Sequence, residues 1–422
     1  MLRRQWFGRA FTFLAAAAGL AACVAESGGV GYGRPAPFSA GPGTAVVPQQ
    51  SAGGSGIAIL LPLTGSNAEV GQTLLRAAQL SFDRPGAPPI DARDTGGTPE
   101  GAAEATRQAL AGGVRLILGP LTAGETAAVA PVAKAAGIPV LAFTSDASQA
   151  RPAIWTLGVT PAQQVRRLVL AVQAEGKTRV GAVLPQNAFG DALATGLANA
   201  ASAASLTEPR ILRFGSSFSS LDAALKDISG YNNRRGAIEQ QQQAARARGD
   251  ADGRRNVAEI GRQNPPSAPI DALLLAVAGD QLGQAVPLLT FYDISPDQVR
   301  IVGPAYWARE TSRLVAVPGV WYAAPDPAQR ASFGQQYSAK YGAPPRELSS
   351  LAFDAAGVAR IVSDSGFTPD ALTRPEGFAG ADGVFALQPD GQVRRGLAIF
   401  EVGRNGSRIV QPAPQSLSAP GV

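Results

Sequence analysis

Short runs of consecutive apolar residues recur through the middle of the chain, and each is followed by a segment with helical spacing. The first run covers residues 57–63 and ends at Thr64-Gly65. An unbroken apolar run of this length is typical of a strand that is buried on both faces of a parallel sheet. Residues 69–82 then show a helical period, and residues 98–100 begin the next helix with a capping hydroxyl, a first-turn proline and an acid. The pattern predicts strands and helices in alternation.

The alternation falls into two sets. The first set has predicted strands at residues 57–63, 89–94, 114–118 and 138–143. The second set has predicted strands at residues 180–184, 211–214, 272–278 and 299–302. Near the end, residues 384–388 and 393–402 flank Pro389-Asp390-Gly391, which is turn chemistry typical of a hairpin. We therefore predict an α/β fold of two units, in which parallel sheets are flanked by helices and ligands bind at the carboxyl ends of the strands.

The composition supports two lobes with a large core. The chain has 422 residues, too many for one compact lobe, and 45% of them are apolar while 16% are charged. The formal net charge is +5, and the arginines at positions 3, 4 and 9 contribute three of these charges. The small remaining charge indicates that the protein has no nucleic-acid partner.

The residue types that are missing limit the chemistry of the chain, which has no histidine and one cysteine. Ser-His-Asp and Cys-His catalysis and the usual zinc sites need histidine, and an intramolecular disulfide needs a second cysteine. Asp91 and Asp94 lie three residues apart on a predicted strand, so they would face opposite sides of the sheet instead of forming an acid/base pair. We predict no catalytic residue, no metal site and no cofactor, and keep an enzyme only as a third alternative.

The N-terminal segment has the features of a signal peptide that ends in a lipidation site. Three arginines precede an apolar stretch at residues 10–22, which is shorter than the ~20 residues that a membrane-spanning helix needs. The stretch ends at Leu20-Ala21-Ala22-Cys23, which resembles the lipobox of bacterial lipoproteins. The resemblance implies removal of residues 1–22 and acylation of Cys23, which would anchor the protein to a membrane. The alternative is an ordinary secretory signal with a chance cysteine.

The segment at residues 23–55 is predicted to be a tether, because it is rich in Gly, Ala, Pro and Ser and has no hydrophobic period. A flexible chain of this length spans roughly 30 Å. Val24 follows the cysteine in place of the aspartate that resembles an inner-membrane retention signal, so we expect a periplasm-facing position at the outer membrane. The folded domain is predicted at residues 56–402, followed by a tail at 403–422.

The segment at residues 229–269 interrupts the alternation, because it is polar and rich in Gln and Arg. Residues 234–262 contain seven arginines and four acids. A solvated insertion, helical or disordered, is one interpretation. The other is an arm that docks a partner, and the composition does not decide between the two. Its candidate contact residues are Arg234, Arg235, Arg254 and Arg255.

Several turns, taken in their order and spacing, resemble the leucine/isoleucine/valine-type periplasmic binding proteins. The segments that carry the resemblance are residues 61–65 with Gly71, 119–124, 136–140, 187–190, and 380–385 before Asp390-Gly391. The resemblance implies the type I periplasmic-binding fold, also called the venus-flytrap fold. In that fold two lobes enclose a ligand cleft.

The resemblance also implies which turns face the cleft. The candidate ligand residues are Thr64, Gly65, Leu121, Thr122, Ala123, Thr144, Ser145, Asp146, Phe189, Ala305 and Tyr306. In amino-acid binders of the family, the positions of Ala123, Thr144 and Asp146 hold the ligand carboxylate, and an acid in the second lobe holds the ammonium. The carboxylate of Asp146 would repel that of a ligand. Here Ala123 has no hydroxyl, and Ala305 stands where the acid is expected. A zwitterion buried without these partners would cost several kcal/mol, roughly 2–7 for each unpaired polar group.

A chain that keeps this fold but lacks the amino-acid-binding residues of the family resembles the lipoproteins called penicillin-binding protein activators. This resemblance implies a non-enzymatic envelope protein that stimulates a peptidoglycan synthase, a penicillin-binding protein, by direct contact. The alternative is a solute receptor of an ABC transporter, which would present an amino acid or a related small solute to a permease.

Overall fold

The computed structural model describes residues 56–261 and 266–417. The predicted signal peptide, Cys23 and the tether up to residue 55 lie outside these residues, as does the end of the predicted tail from residue 418. None of the described helices has both the length and the apolar character needed to cross a membrane.

The first lobe is built on a five-stranded parallel sheet. Its strands are β1 (Ile57–Leu61), β2 (Ile90–Asp94), β3 (Leu116–Leu118), β4 (Val140–Ala142) and β5 (Ile154–Thr156), and they lie in the order β2-β1-β3-β4-β5. Its connecting helices are α1 (Ala68–Phe82), α2 (Pro99–Ala111) and α3 (Ala123–Ala135). The sequence pattern did not predict β5, because a strand of three residues is too short to show a period.

Both faces of β1 are buried, as its unbroken apolar run predicts. Ile57, Ile59 and Leu61 belong to a core that includes residues of α1. Ala58 and Leu60 belong to a second core, with residues of α2 and α3. Because a fully buried aliphatic side chain contributes ~1.5–3 kcal/mol, these two cores fix the strand within its sheet.

The second lobe continues the alternation from residue 161. Its helices up to residue 314 are α4 (Pro161–Ala174), α5 (Ala188–Ala203), α6 (Phe218–Ile228), α7 (Tyr231–Ala247), α8 (Ala251–Ile260), α9 (Gly279–Phe291) and α10 (Thr311–Leu314). Its strands up to residue 324 are β6 (Val180–Pro185), β7 (Arg210–Phe214), β8 (Ala272–Leu275), β9 (Arg300–Gly303) and β10 (Trp321–Ala324). The predicted insertion contains α7 and α8, so its described part is helical.

The last part of the chain returns to each lobe in turn. The segment that packs on the first lobe contains α11 (Pro327–Tyr341), α12 (Ser349–Val362), α13 (Pro369–Leu372), β11 (Phe378–Gly380), β12 (Gly383–Leu387) and β13 (Val393–Arg395). The strands β14 (Ala398–Gly403) and β15 (Gly406–Gln411) complete the second sheet, whose order is β15-β14-β10-β9-β8-β6-β7. The two-lobed α/β architecture predicted from the sequence is thereby confirmed.

The C-terminal hairpin differs from the prediction in its second strand. β12 and β13 pair antiparallel across the Pro389-Asp390-Gly391 turn, with Leu387 opposite Val393. The predicted strand at 393–402 is nevertheless divided, because β14 pairs antiparallel with β10 in the other sheet. The chain crosses between the lobes at residues 396–397, and this crossing leaves no trace in the apolar pattern. The second sheet also continues in β15, beyond residue 402.

Three chain crossings therefore join the lobes, after β5, after β10 and after β13. Buried arginines link the first of these crossings to the third. The guanidinium of Arg395 donates a hydrogen bond to the carbonyl of Leu157 at 3.3 Å. Arg167, on α4, donates through Nε to the carbonyl of Leu397 at 2.7 Å. These bonds hold the hinge segments together at the base of the cleft.

Candidate functional site

A cavity of about 570 Å³ lies between the lobes, next to the turns that follow β4 and β9. Parallel sheets bind ligands at this edge of their strands. The volume suits a small ligand, because ligand pockets measure ~300–1,000 Å³. Hinge residues, among them Gly158 and Pro325, form part of the lining. This cavity is the candidate functional site.

The wall from the first lobe combines apolar and polar side chains, and two of its three charged groups are paired with each other. Arg330, on α11, donates through Nε to Oδ1 of Asp382 at 2.6 Å. The hydroxyl of Ser350, on α12, donates to Oδ2 of the same carboxylate at 2.6 Å. Asp382 is almost fully buried, so this pairing offsets the cost of removing its charge from water. Thr144 and Ser145 add hydroxyl groups to this wall.

The wall from the second lobe, as far as the structure describes it, carries no ionisable acid or base other than a tyrosine. It consists of Ala305, Ala308, Tyr322, Ala324 and Phe400. The rings of Tyr322 and Phe400 are stacked, with centroids 5.0 Å apart. Burial raises the pKa of Tyr322, so its hydroxyl is neutral at physiological pH.

The backbone donor at Ala305 is already occupied. Its N–H donates to Oε1 of Gln164, on α4, at 2.8 Å. Ala305 stands where the family resemblance expects an acid for a ligand ammonium. The second lobe therefore offers neither a carboxylate nor a free amide at this position.

An ion pair crosses the mouth of the cavity. Arg309 lies in a 3₁₀ segment of the second lobe (Ala305–Arg309), and Glu347 lies just before α12 on the first lobe. Both side chains are mostly exposed, so the pair contributes at most ~1 kcal/mol to stability. The pair nevertheless connects the two lobes at the opening of the cleft.

The structure brings four of the candidate ligand residues to the cavity. Leu121, Thr144, Ser145 and Ala305 line it. The other candidates are not among the lining residues, and these are Thr64, Gly65, Thr122, Ala123, Asp146, Phe189 and Tyr306.

Most of the candidates outside the lining have identifiable local roles. Thr122 caps α3 by accepting the N–H of Glu125 at 3.2 Å, and Ala123 is the first residue of that helix. Asp146 accepts the N–H of Ser148 at 3.0 Å and starts a 3₁₀ turn. The rings of Phe189 and Tyr306 pack against each other at 5.9 Å.

Thr64 and Asp94 form a local hydrogen-bonding unit next to Gly65. The carboxylate of Asp94 accepts the Thr64 hydroxyl at 2.6 Å and the N–H of Leu63 at 2.8 Å. Burial by itself raises the pKa of Asp94, but these hydrogen bonds outweigh it and lower the pKa. Asp91 instead pairs with Arg93 at 2.8 Å. The two aspartates thus serve separate structural contacts.

Sequence reasoning missed Gln164, Arg330, Glu347, Ser350 and Asp382. Arg330, Glu347 and Ser350 belong to the segment that returns to the first lobe after the second crossing, far along the chain from the strand-end turns. Asp382 lies within residues 380–385, which carried part of the family resemblance, and this was the one available signal. Within the described residues, no group of three or more His, Cys, Asp or Glu side chains could hold a metal ion.

The sequence of the first lobe and the start of the second matches a known family model. The match covers residues 56–228, and the model is described as a periplasmic binding protein. Residues 56–228 are therefore similar in sequence to the periplasmic binding proteins that this model describes. No curated protein matches the chain at a significant level.

Solved structures with the same fold include transport receptors and a regulator. A putative branched-chain amino acid ABC transporter protein from Rhodospirillum rubrum has a TM-score of 0.60 at 20% identity, covering 84% of this chain and 99% of that one. The C-domain of LpoA (YraM) from Haemophilus influenzae, a regulator of PBP1A, has a TM-score of 0.59 at 16% identity, covering 84% and 99%. Full-length LpoA from Haemophilus influenzae has a TM-score of 0.61 at 16% identity, covering 86% of this chain and 60% of that longer protein. At these identities, the likeness concerns the fold.

Proposed function

We propose that this periplasmic binding domain belongs to a non-enzymatic envelope lipoprotein that regulates a peptidoglycan synthase by direct contact. The observation that carries the proposal is the second-lobe wall of the cleft. This wall presents alanines and stacked aromatic rings to the cavity, and the Ala305 N–H is already bonded to Gln164.

The cost of burying an amino acid in this cleft supports the proposal. An ammonium group enclosed here would face no unpaired carboxylate among the described lining residues, because Asp382 is bonded to both Arg330 and Ser350. Glu347 is engaged at the cleft mouth with Arg309. An unpaired charged group in such a site costs several kcal/mol, more than the ~1–3 kcal/mol of an unpaired neutral group. Tight binding of a zwitterion is therefore disfavoured.

The likeness to LpoA supports a regulatory role in which the binding fold contacts a protein. The C-domain of LpoA is a regulator of PBP1A and has the same fold as this chain. Acylation of Cys23 would hold the domain at the periplasmic side of the outer membrane, and the tether would keep the domain off the membrane surface.

A binding and activity assay tests the regulatory function. The full-length chain, purified in detergent, is immobilised and exposed to purified bifunctional penicillin-binding proteins from the same cell envelope. We expect retention of at least one synthase and a severalfold increase in its rate of glycan polymerisation or cross-linking. If no synthase is retained and none is stimulated, the regulatory proposal is wrong.

The cavity itself favours a second candidate function, solute reception for an ABC transporter. Its 570 Å³ are large enough for a small solute, and Arg330 lies at its edge beside an apolar wall. Asp382 occupies Nε of Arg330, so a ligand carboxylate would pair with the other guanidinium donors and with the hydroxyls of Thr144 and Ser145. The alanines and Phe400 are suited to an apolar body. An apolar monocarboxylate fits this wall better than a zwitterion does.

Thermal unfolding distinguishes the two candidates. A solute present at about a hundred times its dissociation constant stabilises the folded state by ~2.7 kcal/mol, which raises Tm clearly. Solute reception would be favoured if an aromatic or aliphatic monocarboxylate raised the Tm of the wild type and of the exposed control Arg404→Gln, but not that of Arg330→Gln. No rise with amino acids or monocarboxylates, together with synthase retention, would favour regulation by contact.

A further inference from the structure

The insertion of the second lobe is an αα-hairpin whose two ends lie side by side. It leaves the lobe after α6 at Gly230, and the chain rejoins β8 through Pro269. A Cβ at Gly230 would lie 3.2 Å from Cδ of Pro269, so the entry and exit segments are in contact. Because α6 runs from the carboxyl edge of the sheet towards its amino edge, the hairpin extends from the end of the lobe opposite the cleft.

A buried arginine fixes the base of the hairpin. Arg234 donates to three carbonyls, those of Ser229 at 2.9 Å, Pro266 at 3.1 Å and Tyr292 at 2.8 Å. Burial lowers the pKa of Arg234, and the nearby carboxylate of Asp293 opposes that shift. Burying a guanidinium is costly unless its donors are satisfied, so these bonds hold the hairpin in one orientation.

Arg235 is also an anchor. It pairs with Asp293 at 3.0 Å and lies over the ring of Tyr231. The first two candidate contact residues thus face the lobe. A partner would have to bind elsewhere on the hairpin.

The tip of the hairpin, residues 246–255, carries four arginines and two acids, so it has a net positive charge. Asp250 accepts the N–H of Gly253 at 2.5 Å as the cap of α8, and Asp252 pairs with Arg255. Three exposed arginines remain with no ion-pair partner in the described part of the chain, and these are Arg246, Arg248 and Arg254. Arg246 and Arg254, together with Asp250, line a depression of about 240 Å³ at the turn.

An exposed aromatic ring lies at the other end of the same hairpin. Phe291 ends α9 and is 61% exposed, more than any other exposed large hydrophobic residue that the structure describes. Its ring stacks on Tyr231, the first residue of α7, at a centroid distance of 5.8 Å. Aromatic and arginine side chains are enriched where proteins bind one another. Together, Arg246, Arg248, Arg254 and Phe291 define what we call the hairpin surface.

We propose that the hairpin surface is the docking site for an acidic face of the partner synthase. The inference rests on the proposed regulatory function and assigns its contact to a specific part of the second lobe. The unpaired arginines supply charge complementarity, Phe291 supplies an apolar contact, and the Arg234 anchor presents both in a fixed geometry. Because the hairpin extends from the end of the lobe opposite the cleft, a bound synthase would leave the cleft open to a ligand.

Charge removal at the tip tests the docking site. The tip variant carries Arg246→Gln, Arg248→Gln and Arg254→Gln. The control variant carries Arg84→Gln, Arg107→Gln and Arg404→Gln, which remove the same charge from exposed positions elsewhere. Both are made in the full-length chain, and binding of the purified synthase is measured by surface plasmon resonance. We expect the tip variant to bind at least tenfold more weakly, the control variant to bind like the wild type, and Phe291→Ala to bind severalfold more weakly. Both arginine variants should keep the wild-type Tm, because the substituted side chains are exposed.

The salt dependence gives a second measure. Raising the ionic strength from 0.05 to 0.5 M shortens the Debye length from roughly 14 to 4 Å. Because this screens the arginines at the tip, it should weaken binding of the wild type more than binding of the tip variant. Equal binding by the tip variant and the wild type would overturn the docking site but leave the regulatory function standing. If the wild type bound no synthase, the proposed function itself would fail.

A vesicle experiment distinguishes a protein partner from a membrane. The full-length Cys23→Ala chain, which lacks the acylation site, is mixed with phosphatidylglycerol vesicles. We expect no sedimentation with the vesicles. Binding that the tip substitutions abolish would assign the hairpin surface to anionic lipid and overturn the proposal.

Discussion

The α-carbon of Gly303, at the end of β9, lies directly against the ring of Trp307. A Cβ at this position would be 2.3 Å from the ring. Trp307 is fully buried and donates through Nε1 to the carbonyl of Val277 at 3.0 Å, so the ring has no room to move. This contact sets the start of the 3₁₀ segment that brings Ala305 to the cleft.

We expect Gly303→Ala to lower the free energy of unfolding by about 1–3 kcal/mol, the usual cost of overpacking a buried site. Gly283 is the matched control, because it lies in α9 and a methyl group added there would meet no described atom within 4 Å. Gly283→Ala should raise stability by ~0.5–1 kcal/mol through helix propensity. Urea unfolding of both variants measures the difference, and equal effects would contradict the packing argument.

Asp354 is a buried carboxylate beneath the hinge. It accepts the N–H of Ala381 at 2.6 Å, and its other oxygen lies 3.7 Å from Nη1 of Arg395. Burial raises the pKa of Asp354 to about 7, although the charge of Arg395 acts to lower it. Between its ordinary value of 3.8 and about 7, the folded protein therefore holds a proton that the unfolded chain releases.

The raised pKa of Asp354 makes the folded protein less stable as the pH rises. The contribution of Asp354 to stability is fully present below its ordinary pKa and is lost as the pH rises through about 7. We expect the wild type to lose about 1 kcal/mol or more between pH 5 and pH 8 from this group, and Asp354→Asn to lose less over the same interval. Urea unfolding at the two pH values measures it, with the exposed Asp364→Asn as control. A variant with undiminished pH dependence would show that another group is responsible.

At the scale of elements, α3 begins with reciprocal capping. Thr122 accepts the N–H of Glu125, and the Glu125 carboxylate accepts the N–H of Thr122 at 2.9 Å. The buried carboxylate also accepts the hydroxyl of Thr95, which ties the helix to the turn after β2. The cap therefore supports a helix and a neighbouring loop at the same edge of the first sheet.

We expect Thr122→Ala to cost about 1 kcal/mol of stability, within the usual range for the loss of an N-cap. Thr368 caps the four-residue α13 through a longer bond of 3.4 Å and is exposed, so Thr368→Ala should cost less than ~0.5 kcal/mol. Thermal and urea unfolding of the two variants give the comparison. Equal losses would mean that the reciprocal contacts of Thr122 add nothing.

The described elements also show which local signals are informative. The long apolar run of β1 and the Thr-Pro-Glu start of α2 are readable from the sequence, because burial and capping act within a few residues. The three-residue β5 and the division of residues 393–402 are not readable, because both depend on which sheet the strand joins.

At the scale of the whole molecule, the proposed membrane anchoring of the domain rests on acylation of Cys23. We expect Cys23→Ala to abolish incorporation of labelled palmitate and to move the protein from the membrane fraction to the soluble periplasmic fraction. Ser27→Ala, in the tether, is the matched control and should leave both unchanged. Continued labelling of Cys23→Ala would show that the lipobox resemblance is misleading.

The sequence alone is enough to predict the two-lobed α/β architecture, because unbroken apolar runs indicate strands that are buried on both faces. It also excluded histidine chemistry. The chemistry of the cleft depends on tertiary contacts, since Arg330 and Asp382 reach it from a segment that has crossed the hinge twice. Tertiary contacts also make Arg234 an anchor, while Arg254 faces solvent. Local patterns report how deeply a residue is buried, whereas the partner of each polar group is set by contacts between segments distant along the chain.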